Sequence, residues 1–311
     1  LPVSYFIKKS GLINASGADL TDFINRMSTN DLRNFPAGEF KYTFLTTDKG
    51  RIIDLINFVN LSEAKYFICT AGYEDKIISH LNKYIITDDV SLSKAEGNFS
   101  IVTIFTDEPA AVSGDIFNLK LEDNNKNKSY RINEKDILFY DDVKFPALKI
   151  LCADEHIDVY RKLLKDHKQL SFEEYEYKRI NEMLPEGVYE LNEDINPMEC
   201  GPEKFISFTK GCYIGQEVIA RIESQGKIPK QMLLVTSETE FEKGDKIFKS
   251  EKEAGFVSSA VYYDNKYSGL AFIRRTELNE PGKYIVKKGN SNSELKLNFE
   301  SKELINTTNN I

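Results

Sequence analysis

The stretch Lys210-Gly211-Cys212-Tyr213-Ile214-Gly215-Gln216-Glu217-Val218-Ile219-Ala220-Arg221 combines a cation, two glycines, a lone cysteine and an amide with the start of an apolar pattern. Packing alone does not call for that mixture. Gly211 and Gly215 admit positive φ, which predicts a tight loop around Cys212. After Gly215 the pattern turns helical, with Glu217 as an acid in the first turn and Val218, Ile219 and Ile222 on one face. Glu217 and Arg221 stand four apart and are neighbours on such a helix. Cys212 then lies just ahead of a helix N-terminus and beside Lys210, surroundings that favour thiolate over thiol. Without context, a lone cysteine is more often a small buried hydrophobe.

At 311 residues the chain exceeds the size at which a single core stops growing, so two or three domains are expected. Its net charge of -8 argues against phosphate-backbone binding as the main role and predicts no stable nucleic-acid partner. Cys69, Cys152, Cys200 and Cys212 show no C-x-x-C spacing, and only 3 histidines are present, so no resident metal is expected. Neither a secreted disulfide framework nor an apolar run of membrane-spanning length is evident. The opening Leu-Pro-Val-Ser-Tyr-Phe-Ile lacks the features of a signal peptide, and the cytoplasm is the expected location.

Upstream of the central stretch, Val3 to Ile7 reads as a strand, and Ser16 with Asp19 as a capping-box variant opening a helix that buries Leu20, Phe23, Ile24 and Met27. Phe40 to Leu45 and Arg51 to Phe58 form a hairpin across Thr46-Thr47-Asp48-Lys49-Gly50. Tyr66 to Thr70 and Phe99 to Phe105 continue the strands, while Glu122 to Ser129, without an apolar residue, reads as a mobile loop. Ser171 with Glu174 is a second capping-box match, and its helix runs to roughly Met183, ahead of Pro185. Strands interleaved with a few helices predict an α+β arrangement. Beyond Gln225-Gly226-Lys227-Ile228-Pro229 the composition changes to short strands and turns with no helix pattern, a small β-barrel.

The Lys210–Arg221 run resembles the K-G-C-[FY]-x-G-Q-E-x-x-[AS]-R signature of the YgfZ-type folate-binding proteins, a branch of the glycine-cleavage T-protein (aminomethyltransferase) superfamily linked to iron–sulfur proteins. Gly50-Arg51-Ile52-Ile53-Asp54 resembles the superfamily's G-[GR]-I-[IL]-D-D segment, with Leu55 in place of the second acid. Arg179-Ile180-Asn181-Glu182-Met183-Leu184-Pro185 resembles R-[IL]-E-x-G-x-P, with Asn181 for the glutamate and Met183 for the glycine. Pro197-Met198-Glu199 resembles the P-x-E step, and residues 254–259 and 268–274 resemble the barrel elements.

The resemblance implies an α+β three-domain ring: two discontinuous antiparallel-sheet domains, about 1–35 with 96–185 and 36–95 with 186–225, and a C-terminal β-barrel at 226–311. It implies tetrahydrofolate or a derivative as a non-covalent cofactor, near Asn30, Asp31, Asn181, Glu199, Tyr213, Gln216, Glu217 and Arg221. Cys212, Lys210 and Asp54 are the implied chemical residues. The implied role is an accessory protein for assembly or repair of iron–sulfur enzymes, tRNA-modifying ones included, with those enzymes or their assembly machinery as partners. Two alternatives stand beside it: an aminomethyltransferase-like one-carbon transferase, for which the acid set is incomplete, and a protein-binding scaffold without ligand.

Overall fold

The computed structural model describes residues 3–121, 127–141, 146–201, 203–279, 282–288 and 291–297. The chain divides into two compact units: Leu1–Leu170 with Asn192–Asp194 and Lys204–Val218, and Ser171–Leu191 with Ile195–Glu203 and Ile219–Ile311. No helix among the described residues is long and apolar enough to cross a membrane.

The first unit is built from β1 (Ser4–Ser16), α1 (Leu20–Met27), β2 (Glu39–Thr46), β3 (Ile52–Asn60), β4 (Lys65–Cys69), α2 (Glu74–Asn82), β5 (Ser91–Lys94) and β6 (Phe99–Phe105). It continues with α3 (Pro109–Phe117), β7 (Ser129–Arg131), β8 (Ile137–Asp141), β9 (Ala147–Ala153), α4 (Ile157–Leu163) and β10 (Lys168–Gln169). Its strands run in the order β2-β3-β4-β1-β6-β9-β8-β7, with β5 and β10 also pairing β1. The predicted β2–β3 hairpin is present, turned by Thr47 and Gly50. The strand expected at Val3 to Ile7 runs instead to Ser16, pairing β6 through Ser4–Ser10 and β4 through Gly11–Ala15. One continuous strand therefore pairs with strands of both expected α+β domains and joins them in one strand order. Residues 171–185, expected with the first domain, fall in the second unit.

Ser16 is the last residue of β1 and does not cap α1, whose N-cap Asp19 makes no side-chain cap bond. The helix is held by burial: Leu20, Phe23, Ile24 and Met27 pack with Ile56, Phe58 and Phe67 of the sheet. Each such burial is worth roughly 1.5–3 kcal/mol, well above a typical cap. Of the expected loop at 122–129, residues 122–126 lie outside the described residues. Asn127 turns at a φ of 64°, Lys128 bridges Glu39, and Ser129 opens β7.

That bridge has a wider effect, because β2 and β8 lie near opposite ends of the strand order. Phe40 of β2 packs on Phe139 of β8 at 5.1 Å, and the Tyr42 hydroxyl donates to Asp141 at 2.7 Å. The sheet is thus curled upon itself. Its concave face carries Leu12, Phe40, Val59, Ile68, Phe139 and Leu151, while α1 and α2 cover the opposite face of the β2–β3–β4 half.

The second unit holds α5 (Phe172–Asn181), α6 (Gly187–Glu190), β11 (Lys230–Ser237), β12 (Lys246–Lys249), β13 (Lys252–Tyr263), β14 (Lys266–Arg274), α7 (Arg275–Leu278), β15 (Tyr284–Lys288) and β16 (Ser291–Leu297). Its strands close into a barrel in the order β11-β14-β13-β12-β15-β16 around Leu233, Val235, Ile247, Val257, Ala271, Ile273 and Val286. The short α7 interrupts the expected run of strands. Ser171 and Glu174 form the predicted reciprocal capping box of α5. The helix stops at Asn181, and Met183 takes a φ of 52°, the left-handed conformation for which the family's glycine is suited. A further helix, Gln216–Gln225, begins in the first unit and ends in the second.

Candidate functional site

In the first unit the loop 210–216 is held against the segment that follows α1. Lys210 is buried, and its ammonium donates to the carbonyls of Asn25 at 2.5 Å, Ser28 at 2.9 Å and Asn30 at 2.6 Å. It lies 5.1 Å from the centre of the Tyr213 ring. Burial draws this ammonium down to about 8, against the opposing pull of Asp31. The lysine therefore clamps the loop to the 25–30 segment, whereas the sequence reading assigned its charge to Cys212.

Gly215 has the predicted positive φ, 80°, and a Cβ there would meet the Thr47 carbonyl at 2.6 Å. Thr46 donates its hydroxyl to the Ile214 carbonyl, fixing the same approach. Gly211 faces open space and is not among the positive-φ glycines, so the second expected turn position is not realised. Gln216 accepts from the Tyr213 N–H through its side chain, and its own N–H donates back to the Tyr213 carbonyl. Cys212 is exposed, whereas Cys69, Cys152 and Cys200 are buried. Burial pushes the Cys152 thiol up to about 12 and raises those of Cys69 and Cys200 as well. Glu217 and Arg221 are both exposed on their helix.

The Asn30–Asp31 pair adjoins this loop. Asn30 donates its amide to the Tyr42 carbonyl and accepts from the Asp31 N–H, and its own N–H donates to the Thr43 hydroxyl. Asp31 is held by Arg33 through Nε at 3.0 Å and Nη2 at 2.7 Å, which keeps its carboxyl well below the usual carboxylate range. Both side chains are thus engaged in shaping the segment.

Asp54, expected as a chemical residue, lies on the covered side of the sheet. Asp54 lies opposite Leu45 in the ladder, and Leu45 belongs to the core under α1 and α2, so Asp54 points to that covered face. It is fully buried, with one oxygen accepting from the Thr70 N–H and the other from the Thr70 hydroxyl, both at 2.8 Å. Burial raises its carboxyl to about 6. The neighbouring Leu55 lies opposite Phe44 and points to the concave face. Alternation along the strand, which period-2 reading could not orient, leaves no acid at the concave position.

The concave face carries polar groups that the sequence reading did not single out. Lys149 donates to Asp141 at 2.5 Å and to the Tyr42 hydroxyl at 3.2 Å. The charge of Asp141 raises the Lys149 ammonium despite burial, and burial raises the Tyr42 phenol. Phe205 lies 5.2 Å from the Tyr42 ring and 6.2 Å from Phe44, forming an aromatic shelf. Asn57, opposite Tyr42 and Ile68, is buried with neither amide atom hydrogen-bonded. The available signal was polar residues at inward-facing register inside apolar runs, Asn57 in β3 and Lys149 in β9.

The remaining expected contacts are carried by the second unit. Asn181 is exposed and donates its amide to the Tyr177 carbonyl one helical turn back, so its donor end is turned to its own helix. Glu199 is buried, not solvated: it accepts from the Asn196 N–H in a reciprocal cap and lies 3.7 Å from Lys230. Sequence reading also passed over Arg179. Its fully buried guanidinium holds Glu176 at 2.6 Å and 3.0 Å, Glu190 at 3.2 Å, the Leu184 carbonyl at 2.9 Å and the Ser259 hydroxyl at 2.8 Å. That network ties the end of α5 to the barrel strand β13.

Among the described residues, no group of three His, Cys, Asp or Glu side chains is placed to hold a metal. The GCVT N-terminal domain family matches residues 7–133. An aminomethyltransferase from Aquifex aeolicus is 27% identical over 251 residues, covering 78% of this chain and 67% of its own length. One from Thermosipho melanesiensis is 23% identical over 286 residues, covering 86% and 77%. The crystal structure of the glycine cleavage system aminomethyltransferase T from Bartonella henselae superposes with a TM-score of 0.83 at 14% identity, over 96% of this chain and 86% of that one. Residues 7–133 thus match the GCVT N-terminal domain family, the chain is similar in sequence to aminomethyltransferases, and its fold is that of the glycine cleavage system aminomethyltransferase T, ending in a C-terminal β-barrel.

Proposed function

We propose that the chain binds a reduced folate without catalysing aminomethyl transfer, and acts as an accessory protein in assembly or repair of iron–sulfur enzymes, tRNA-modifying ones among them. The observation that carries this reading is Leu55 on the concave face, where the resemblance expects the second acid. A one-carbon transferase needs a group that manages a proton at the reacting nitrogen. Leu55 has none to give, and the carboxylate beside it is turned to the covered face and bonded to Thr70.

The concave residues suit a planar polar heterocycle: the half-buried Tyr42 ring, backed by the buried Phe44 and Phe205, offers stacking area, and the Asn57 amide offers an unused donor and acceptor. Tetrahydrofolate supplies nitrogens that carry one-carbon units. The chain's own reactive group in this reading is the exposed Cys212 thiol, presented on a loop clamped by Lys210 and Gly215. The resemblance of Lys210–Arg221 supports the link to iron–sulfur enzymes. Clusters belong to the client enzymes.

Calorimetric titration with tetrahydrofolate, an aminomethyl-transfer assay, and complementation of iron–sulfur enzyme activity in cells lacking the protein test this reading together. Saturable folate binding, transfer at background, and a Cys212→Ser protein that binds folate but fails to complement are expected. Transfer above background returns the chain to the aminomethyltransferases. Absence of folate binding leaves the scaffold reading.

A further inference from the structure

Asn57 sits in the middle of β3, between Tyr42 of β2 and Ile68 of β4, with its side chain on the concave face of the sheet. It is 3% exposed, yet neither its amide nitrogen nor its amide oxygen has a hydrogen-bond partner. Buried polar side chains in folded proteins are nearly always bonded, and an orphaned donor and acceptor on one residue is costly. Nearby polar groups are already engaged with one another: Tyr42 with Asp141, Lys149 with both, and Asn30 with the Tyr42 carbonyl. A leucine at position 57 would fit its apolar neighbours and carry no such cost.

We infer that Asn57 is the residue that reads the polar edge of the bound heterocycle on the concave face; this rests on the reduced-folate reading above. The chemistry selects among the parts of a folate. A carboxylate from the glutamate tail would satisfy the Asn57 nitrogen and repel its oxygen, and a cation would do the reverse. A lactam or amidine edge, with adjacent donor and acceptor, satisfies both. The reduced pterin presents such an edge on its flat pyrimidinone ring, which suits the Tyr42 ring backed by Phe205. Tyr42 and Leu55, both half-buried, border Asn57 on the same face and leave it an approach for that edge.

The test compares wild type, Asn57→Leu and Asn57→Ser in calorimetric titrations with tetrahydrofolate, 6-methyltetrahydropterin and p-aminobenzoylglutamate. Asn57→Leu removes both orphaned atoms at similar volume, so the ligand-free variant is expected to unfold at or above the wild-type midpoint. Its affinity for tetrahydrofolate and 6-methyltetrahydropterin is expected to fall at least about tenfold, the cost of losing a paired contact. Asn57→Ser, too small to overpack the site, is expected to lose a similar factor. The response to p-aminobenzoylglutamate, which has no pterin, stays as in wild type. Tetrahydrofolate binding within twofold of wild type in both variants overturns the inference while leaving the folate reading intact. A wild-type protein that binds neither pterin ligand overturns both.

Discussion

Replacing Asp54 with asparagine is expected to change how stability varies with acidity. The Asp54 carboxyl is lifted from its ordinary 3.8 to about 6 because the fully buried ion loses more hydration than Thr70 and the backbone restore. The sign follows from proton binding. Between about 3.8 and 6 the folded chain keeps a proton that the unfolded chain has released, so this group's contribution is fully present below about 3.8 and is lost as pH rises through about 6. At about 1.36 kcal/mol per pKa unit, the gap corresponds to about 3 kcal/mol withheld at neutral pH. Asparagine has no charge to bury. Its oxygen accepts the Thr70 N–H, and its NH2 donates to the Thr70 hydroxyl, so the local bonds survive. Urea unfolding of wild type and Asp54→Asn from pH about 4 to about 7.5 isolates the effect, because other titrating groups cancel in the difference. The variant is expected to gain up to about 3 kcal/mol relative to wild type across that range. A difference that stays flat with pH refutes the assignment of a buried, raised carboxyl.

Lys210→Met keeps the stem but strands the carbonyls of Asn25, Ser28 and Asn30, and a loss of about 3 kcal/mol by urea unfolding is expected after offsetting the ammonium's own burial. Since burial holds this ammonium at about 8 against an ordinary 10.5, its contribution to wild-type stability rises with pH between those values, a rise absent from Lys210→Met. Mass-spectrometric mapping of native alkylation is expected to find Cys212 modified well before the buried Cys69, Cys152 and Cys200; equal rates would remove its claim to chemistry. Met183→Gly relieves a left-handed residue with a φ of 52° and is expected to raise stability by about 0.5–1 kcal/mol, read as a higher unfolding midpoint.

Local features were legible where residues a few positions apart determine the outcome. The apolar spacing of Leu20, Phe23, Ile24 and Met27, the β2–β3 hairpin, the Ser171–Glu174 cap and the change to short strands after Pro229 all reappear in the structure. Gly215 was readable too, because a positive φ leaves few alternatives to glycine. Ser16 shows the limit. It matches a capping pattern locally, but pairing with Ser91 keeps it in β1.

The candidate site depended on longer-range facts. Sequence by itself determined that Asp54 and Leu55 point to opposite faces of a strand, and that Asn57 shares a face with Leu55. Which face is concave was decided by the curl of the sheet, which brings Glu39 to Lys128 and Tyr42 to Asp141 across long stretches of chain. Lys210 likewise stands two residues from Cys212 in sequence, yet its ammonium is committed to three carbonyls more than 150 residues away. Alternation is a property of the extended backbone and needs no partner, whereas the direction of an ammonium or an amide is set by whichever acceptors the folded chain brings within about 3 Å.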